Sequence, residues 1–229
     1  MRGRVLITGA SGALGGSVVR RFLAGGERVL AVYGSHPGDL AGLAPADRLA
    51  LRQADLGSTT EVERLFGEEL AAETSPVVAH LVGGFRYGRL RDLGDEDWSF
   101  LMRVNLETTF RLARECARCF ERAGGGSLVV VSSPAALLGE AGVAAYAAAK
   151  AGTLRLVESL AREVAPFGGR ANAVLPGTMD TPANRRAMPG EDPARWVSTG
   201  AVAEVIYYLS TPAAAGVNGA AVRVPGPAL

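Results

Sequence analysis

Short apolar runs rich in β-branched residues recur along the whole chain, at residues 4–8, 28–32, 76–81, 127–131, 170–175 and 220–224, with a weaker one at 49–51. Each is apolar on successive rather than alternate residues. Such strands are covered on both faces, which means parallel strands lying between helices. The segments between them supply the helices. Val62, Leu65, Phe66 and Leu70 share one stripe at helical spacing, and Trp98, Leu101, Met102, Leu112, Cys116 and Cys119 share another. Long helices are expected over 95–121 and 143–165. Glycines at 25–26, 124–126 and 168–169 punctuate helix ends before the next strand. With no internal repeat and no linker, the alternation predicts an α/β chain: a single doubly wound, Rossmann-like domain over residues 1–229, with about seven parallel strands and helices on both faces.

Composition removes several functions. A formal charge of +1, with 24 basic residues balanced by 23 acids, leaves no field for nucleic acid. No apolar run reaches the roughly 18 residues of a membrane span, and the strand pattern begins so early that no signal peptide is expected. Cys116 and Cys119 lie three apart in a helical pattern, and the only histidines are His36 and His80, so no metal site is expected and the thiols read as buried. The chain is expected to be cytoplasmic.

In a doubly wound sheet the ligand crevice lies beyond the carboxyl ends of the strands, and polar residues gather there. The first strand runs into Thr8-Gly9-Ala10-Ser11-Gly12-Ala13-Leu14-Gly15-Gly16 and then into a helix. Small residues let the backbone approach a pyrophosphate, whose charge meets N–H groups at the helix N-terminus. Thr8, Gly9, Ser11, Gly12, Ala13, Leu14 and Gly15 are therefore candidate dinucleotide contacts. The second strand ends in Tyr33-Gly34-Ser35 with no acid to hold a ribose 2′-hydroxyl; the first acid is Asp39. An uncharged end leaves room for a 2′-phosphate, so NADP(H) is favoured over NAD(H), although no arginine sits there to grip it. Asp55 and Leu56, after the third strand, are candidates to border the adenine.

Lys150 is the single lysine among the 24 basic residues, and Tyr146 lies four positions before it. At i and i+4 the two share a helix face. An ammonium beside a phenol stabilises the phenolate, which would draw the tyrosine pKa down from about 10 and suit Tyr146 to general acid–base work. Asn105 interrupts the apolar stripe of its helix, where an amide costs free energy unless it is hydrogen-bonded. It marks either a kink or an amide that holds water or orients the lysine. Ser132 and Ser133 end the fifth strand, as caps or as site residues. Pro176-Gly177-Thr178 ends the sixth in a rigid turn where a nicotinamide would lie.

With these residues in view the chain resembles the short-chain dehydrogenase/reductase family over nearly its whole length. Asn105, Ser133, Tyr146 and Lys150 match the family's four catalytic positions, and Pro176-Gly177 matches its cofactor-facing turn. Ala13 stands where the family usually has glycine, and His80-Leu81-Val82-Gly83 stands where it has Asn-Asn-Ala-Gly. In scaffold the sequence is most similar to dihydropteridine reductases and their bacterial look-alikes, through Gly83-Gly84 before aromatic Phe85 and the stretch from Val174 through Met188-Pro189. Those reductases lack the serine and carry an aspartate after the second strand; this chain does the reverse. The resemblance implies NAD(P)(H)-dependent interconversion of a carbonyl and an alcohol. Tyr146 would exchange the proton, Lys150 would lower its pKa and hold the nicotinamide ribose, Ser133 would orient the substrate oxygen, and Asn105 would support a relay water. Val82, Gly83, Tyr146, Lys150, Pro176, Gly177, Thr178 and Thr181 join the cofactor set, with caps as the alternative role for the threonines. Residues 178–196 read as a substrate lid over a small-molecule carbonyl, with Arg185 and Arg186 either an exposed pair or a contact for an acidic substrate. Pairing of the two long helices across a two-fold axis implies a homodimer or homotetramer. The alternatives are dihydropteridine reductase-like activity and a non-catalytic, dinucleotide-sensing protein.

Overall fold

A computed structural model describes residues 4–43 and 47–227; the ends of the expected 1–229 domain and residues 44–46 lie outside them. The seven expected strands form β1 (Val5–Thr8), β2 (Val29–Tyr33), β3 (Leu49–Gln53), β4 (Val77–His80), β5 (Gly126–Val131), β6 (Gly169–Pro176) and, last in the chain, β9 (Ala221–Val224). They make one parallel sheet in the order β3-β2-β1-β4-β5-β6-β9. Along each central strand the side chains alternate between two cores. Leu6, Val78, Leu128, Val130 and Ala173 face α2 (Thr59–Glu69), α4 (Thr108–Ala123) and α5 (Ala144–Val164). Val5, Ile7, Val77, Ala79, Val129 and Val174 face α1 (Ala13–Ala24) and α7 (Thr199–Leu209). Both faces are buried, which is why these strands are apolar on successive rather than alternate residues. The edge strand β3 is mostly exposed, and its sequence signal is correspondingly weak.

The strand order reverses between β1 and β4, and this opens the crevice. Gly9 stands at its floor with φ +70°, and a Cβ there would lie 3.1 Å from the Leu81 carbonyl carbon and the Val82 nitrogen. A Cβ at Gly15 would lie 2.3 Å from the Gly9 carbonyl oxygen, so α1 packs onto the turn only because that position is bare. The first turn of α1 carries no acid, which leaves its positive end open to an anion.

Three elements depart from the sequence reading. The helix expected over 95–121 is broken into α3 (Asp95–Leu101), a π turn (Met102–Glu107) and α4. Within the expected lid, β7 (Met179–Asp180) and β8 (Val197–Ser198) pair with each other and flank α6 (Pro182–Ala187). Two-residue strands carry too little pattern to be read from sequence. α5 falls within one residue of its expected bounds at each end.

The last third of the chain is tied to the sheet by polar groups. Arg170 of β6 donates to the carbonyls of Leu209 (2.9 Å), Thr211 (3.2 Å) and Val217 (3.3 Å), holding the negative end of α7. The buried Asn172 donates to the Val217 carbonyl and accepts from the Ala220 nitrogen, both at 2.9 Å. This steers the chain back into the sheet as β9. At the opposite edge Glu69 closes α2 against Arg4 and Arg52, with Arg52 Nε at 2.9 Å. Replacing Arg170 by Met keeps the aliphatic stem but strips three carbonyls of their donor. Urea unfolding should show Arg170→Met destabilised by about 2–4 kcal/mol with the sheet intact; a loss below about 0.5 kcal/mol would mean that water replaces the guanidinium at no cost.

Candidate active site

The carboxyl edge of the sheet brings Asn105, Ser133, Tyr146 and Lys150 to one place. Lys150 is 4% exposed and donates to the Val131 carbonyl at 3.1 Å, while the Ser132 hydroxyl donates to the carbonyl of Lys150 at 3.2 Å. Burial holds the ammonium at about 8, below its ordinary value. The Lys150 nitrogen stands 5.8 Å from the centre of the Tyr146 ring. The phenol does not follow the expectation that its lysine neighbour would draw its pKa towards neutrality. Burial raises it, and the polar approach of Ser133 pulls part of the way back. The ammonium gives its hydrogen bond to the Val131 carbonyl rather than to the phenol, and desolvation sets the direction of the shift. The Ser133 hydroxyl also accepts from the Ala135 nitrogen at 3.2 Å, so it caps the turn that presents it.

Asn105 lies in the π turn, and the amide is fully used. Its Nδ2 donates to the carbonyls of Gly84 (2.9 Å) and Leu101 (3.0 Å), and its Oδ1 accepts from the Gly84 nitrogen at 3.1 Å. Its backbone carbonyl accepts the hydroxyls of Thr109 (2.7 Å) and Thr153 (3.3 Å). The amide therefore staples the loop after β4 to the helix, which is the kink reading. Gly83 must be bare: a Cβ there would come within 2.9 Å of Asn105 Oδ1 and 3.1 Å of Lys150 Nζ.

A cavity of about 940 Å³ opens beside Gly9, at the other end of the crevice. Its walls include the expected Tyr33, Asp55, Leu56 and Val82, and also Phe100 and Val104. A cleft of this size, with an apolar pair and a glycine floor, suits the adenosine half of a dinucleotide. Sequence reasoning missed Arg64 of α2 and Arg103 of the π turn, which line the same cavity and engage in no ion pair among the described residues. They are far from the second strand in sequence. Arg64 could have been found as the polar neighbour of the Val62-Leu65-Phe66 stripe. Ser11, Gly12 and Ala13 border a second cavity of about 260 Å³ with Arg20 and Asp39.

The remaining expected residues divide between structure and crevice. Thr8 turns its hydroxyl to His80 Nδ1 at 2.7 Å, beneath the site. Leu14 is buried in the core under α1. Gly177 donates to the Val224 carbonyl at 3.0 Å, directly after Pro176, and Thr178 is exposed. Thr181 caps α6, accepting from the Asn184 nitrogen at 3.1 Å. Arg185 is held by Asp180 through two bonds of 2.6 and 2.8 Å, so that side chain is occupied within the lid. Among the described residues no cluster of potential metal ligands occurs, and no helix is long and apolar enough to cross a membrane. Cys116 and Cys119 are free and buried.

His80 is completely buried on the face that carries Lys150. Its Nε2 has no partner among the described residues, and its pKa is pushed down to about 3 by burial first and by the lysine charge second. The folded state thus holds a neutral imidazole that protonates once unfolded. Between about pH 6.5 and pH 3 the unfolded chain binds the extra proton, so stability falls with falling pH by up to about 1.4 kcal/mol per pH unit. His80→Asn keeps a partner for Thr8 and removes this proton. Unfolding curves at pH 7, 5.5 and 4.5 should be flatter with pH in the variant than in the parent; equal slopes would assign the acid sensitivity to other groups.

The model of the short chain dehydrogenase family matches residues 3–192. Nodulation protein G of Rhizobium meliloti (strain 1021) is 32% identical over 235 residues, covering 97% of this chain and 95% of that one. The (3R)-3-hydroxyacyl-CoA dehydrogenase of Mus musculus is 32% identical over 246 residues, covering 96% and 94%. Among solved structures, ElxO with NADP bound superposes with a TM-score of 0.90 at 21% identity, covering 99% of this chain and 98% of that one.

Proposed function

This chain belongs to the short chain dehydrogenase family, and from that footing we propose that it interconverts a carbonyl and an alcohol with NADP(H), Tyr146 exchanging the proton. One observation carries the reading: a buried lysine lies one helical turn from a tyrosine that Ser133 approaches, at the sheet edge where the glycine turn opens. The relative named for 3-hydroxyacyl-CoA dehydrogenation supports the same class of interconversion.

A bound nicotinamide supplies or accepts the hydride. Tyr146 gives its proton to the substrate oxygen as negative charge develops there. Burial raises the phenol above its ordinary value, so Tyr146 is protonated at neutral pH and can donate to the substrate oxygen in reduction. Ser133 orients the oxygen. Lys150 holds the nicotinamide ribose, and its nearby charge steadies the phenolate left behind. Asn105 acts by position, holding Gly84 and so the loop after β4 beside the lysine. The turn from Thr8 to Gly15 meets the pyrophosphate, while Tyr33, Asp55, Leu56 and Val82 enclose the adenosine, with Gly83 beside the lysine. Pro176, Gly177, Thr178 and Thr181 border the carboxamide, beneath a lid over 178–196. The whole chain acts as one cytoplasmic domain, assembled as a homodimer or homotetramer through the long helices.

NADP(H) is favoured because residues 33–35 carry no acid, and because Arg64 and Arg103 bring positive charge to the same cavity. Calorimetry should find NADPH bound at least as tightly as NADH; a tenfold preference for NADH, about 1.4 kcal/mol, would reverse this choice.

The proton-transfer assignment is tested by turnover across pH. Tyr146→Phe should lose at least about 100-fold in turnover while nucleotide affinity stays nearly constant. Lys150→Arg keeps the charge but should also lose most of the rate, since a guanidinium cannot reproduce the compact ammonium. The two losses should not add in the double variant. Reduction should decline on the alkaline side as the phenol ionises, and oxidation should rise there. Full activity in Lys150→Arg would remove the lysine from the proton-transfer assignment, whereas nucleotide binding with no turnover of any carbonyl would favour a non-catalytic nucleotide sensor.

A further inference from the structure

We propose that residues 83–88 form an aromatic strap that selects the substrate, with Phe85 as the specificity-determining contact for carbonyl compounds bearing a bulky, uncharged apolar group. The proposal rests on the carbonyl reading above and names the substrate class of that same site.

The strap is fixed at three points. Gly84 is bonded to Asn105 in both directions, at 2.9 and 3.1 Å. Arg86 pairs with Asp97 at 3.0 Å, its guanidinium 4.6 Å from the centre of the Phe100 ring. Gly88 donates to the Gly142 carbonyl at 2.9 Å, just before α5 begins. Phe85 and Tyr87, two residues apart, both reach the segment that carries the phenol. The Phe85 ring meets the Tyr146 ring edge-on, with centroids 5.0 Å apart and planes at 82°. Tyr87 fits only because position 142 is bare; a Cβ there would lie 2.3 Å from its ring.

Although Phe85 is anchored against a half-buried phenol, it remains 59% exposed. A large ring held beside the reacting oxygen with its other face in water is placed to meet something that arrives. The neighbouring exposed side chains continue the same chemistry. Tyr87 and Leu90 stand on the loop after β4, and Leu137 and Leu138 on the loop after β5, three of these four at 70% exposure. Of the arginines on this edge, Arg86 is paired with Asp97, Arg91 with Asp92 and Arg185 with Asp180, while Arg89 and Arg186 make no ion pair among the described residues. The strap surface that meets the Tyr146 ring is itself apolar, which favours a ketone with a ring or branched alkyl group over a keto acid or a hydroxyketone.

The test uses the complete chain with NADPH or NADH, whichever it binds, and four carbonyls: acetophenone, cyclohexanone, hydroxyacetone and pyruvate. The parent should show a kcat/KM for acetophenone at least about tenfold above that for hydroxyacetone, the size a single apolar contact confers. Phe85→Ala should shrink that ratio about tenfold, mainly through KM, and Phe85→Leu should fall between. An unchanged ratio, or an equal loss on all four carbonyls, overturns the selecting role of the strap while leaving the carbonyl chemistry standing. A parent that prefers hydroxyacetone or pyruvate, or that accepts only a dihydropterin, overturns the substrate class. Absence of turnover with every carbonyl, nucleotide being bound, would instead remove the reading on which the proposal stands.

Discussion

A parallel sheet buried on both faces leaves itself few places to be polar. The backbone groups of the inner strands are used in the ladder, and their side chains are pressed into one of two apolar cores. The carboxyl edge, where strands give way to loops, can collect hydroxyls, amides and a cation without the full cost of desolvation. The crossing between β1 and β4 then makes one part of that edge concave. The glycine turn, the Asn105 staple, Ser133, Tyr146 and Lys150 all sit on this one seam.

Desolvation still reaches the groups on the seam, and it acts on each according to the sign of its charge. It lowers Lys150 and His80 and raises Tyr146. The phenol and the ammonium are thereby pushed towards their neutral forms, the reverse of what mutual attraction would do. Attraction needs contact, and here the ammonium gives its hydrogen bond to the Val131 carbonyl. The arrangement is a poised one: the lysine charge is near enough to steady a phenolate once formed, yet not so close that it forms one at rest.

Much of this architecture was legible in the sequence. Continuous apolar runs marked the five inner strands because burial on two faces removes the need to alternate. The i, i+4 pairing of Tyr146 and Lys150 and the glycine turn were legible because both depend on short-range spacing. What escaped depends on distance or on small departures from regularity. The π turn leaves the apolar stripe of residues 98–119 nearly intact, so periodicity alone passes over it. Arg64 and Arg103 reach the cavity beside Gly9 only through the fold, and Tyr87 of the strap packs against Gly142, more than fifty residues away. The expected fall of the phenol pKa failed because sequence gives neighbours but not the water excluded between them.

The π turn sets a rule of length. It houses a residue more than a regular helix would need over the same rise, and that surplus turns Asn105 towards Gly84. Deleting one residue from the π turn would yield a more regular helix with its two flanks in register, and would re-aim the side chains of the turn itself. The staple would then point elsewhere while local helicity improved. Loops in such a chain can gain or lose residues freely, as the stretch between α6 and β8 could. This helix cannot, because its irregularity acts as a ruler whose count is read at the loop beside it.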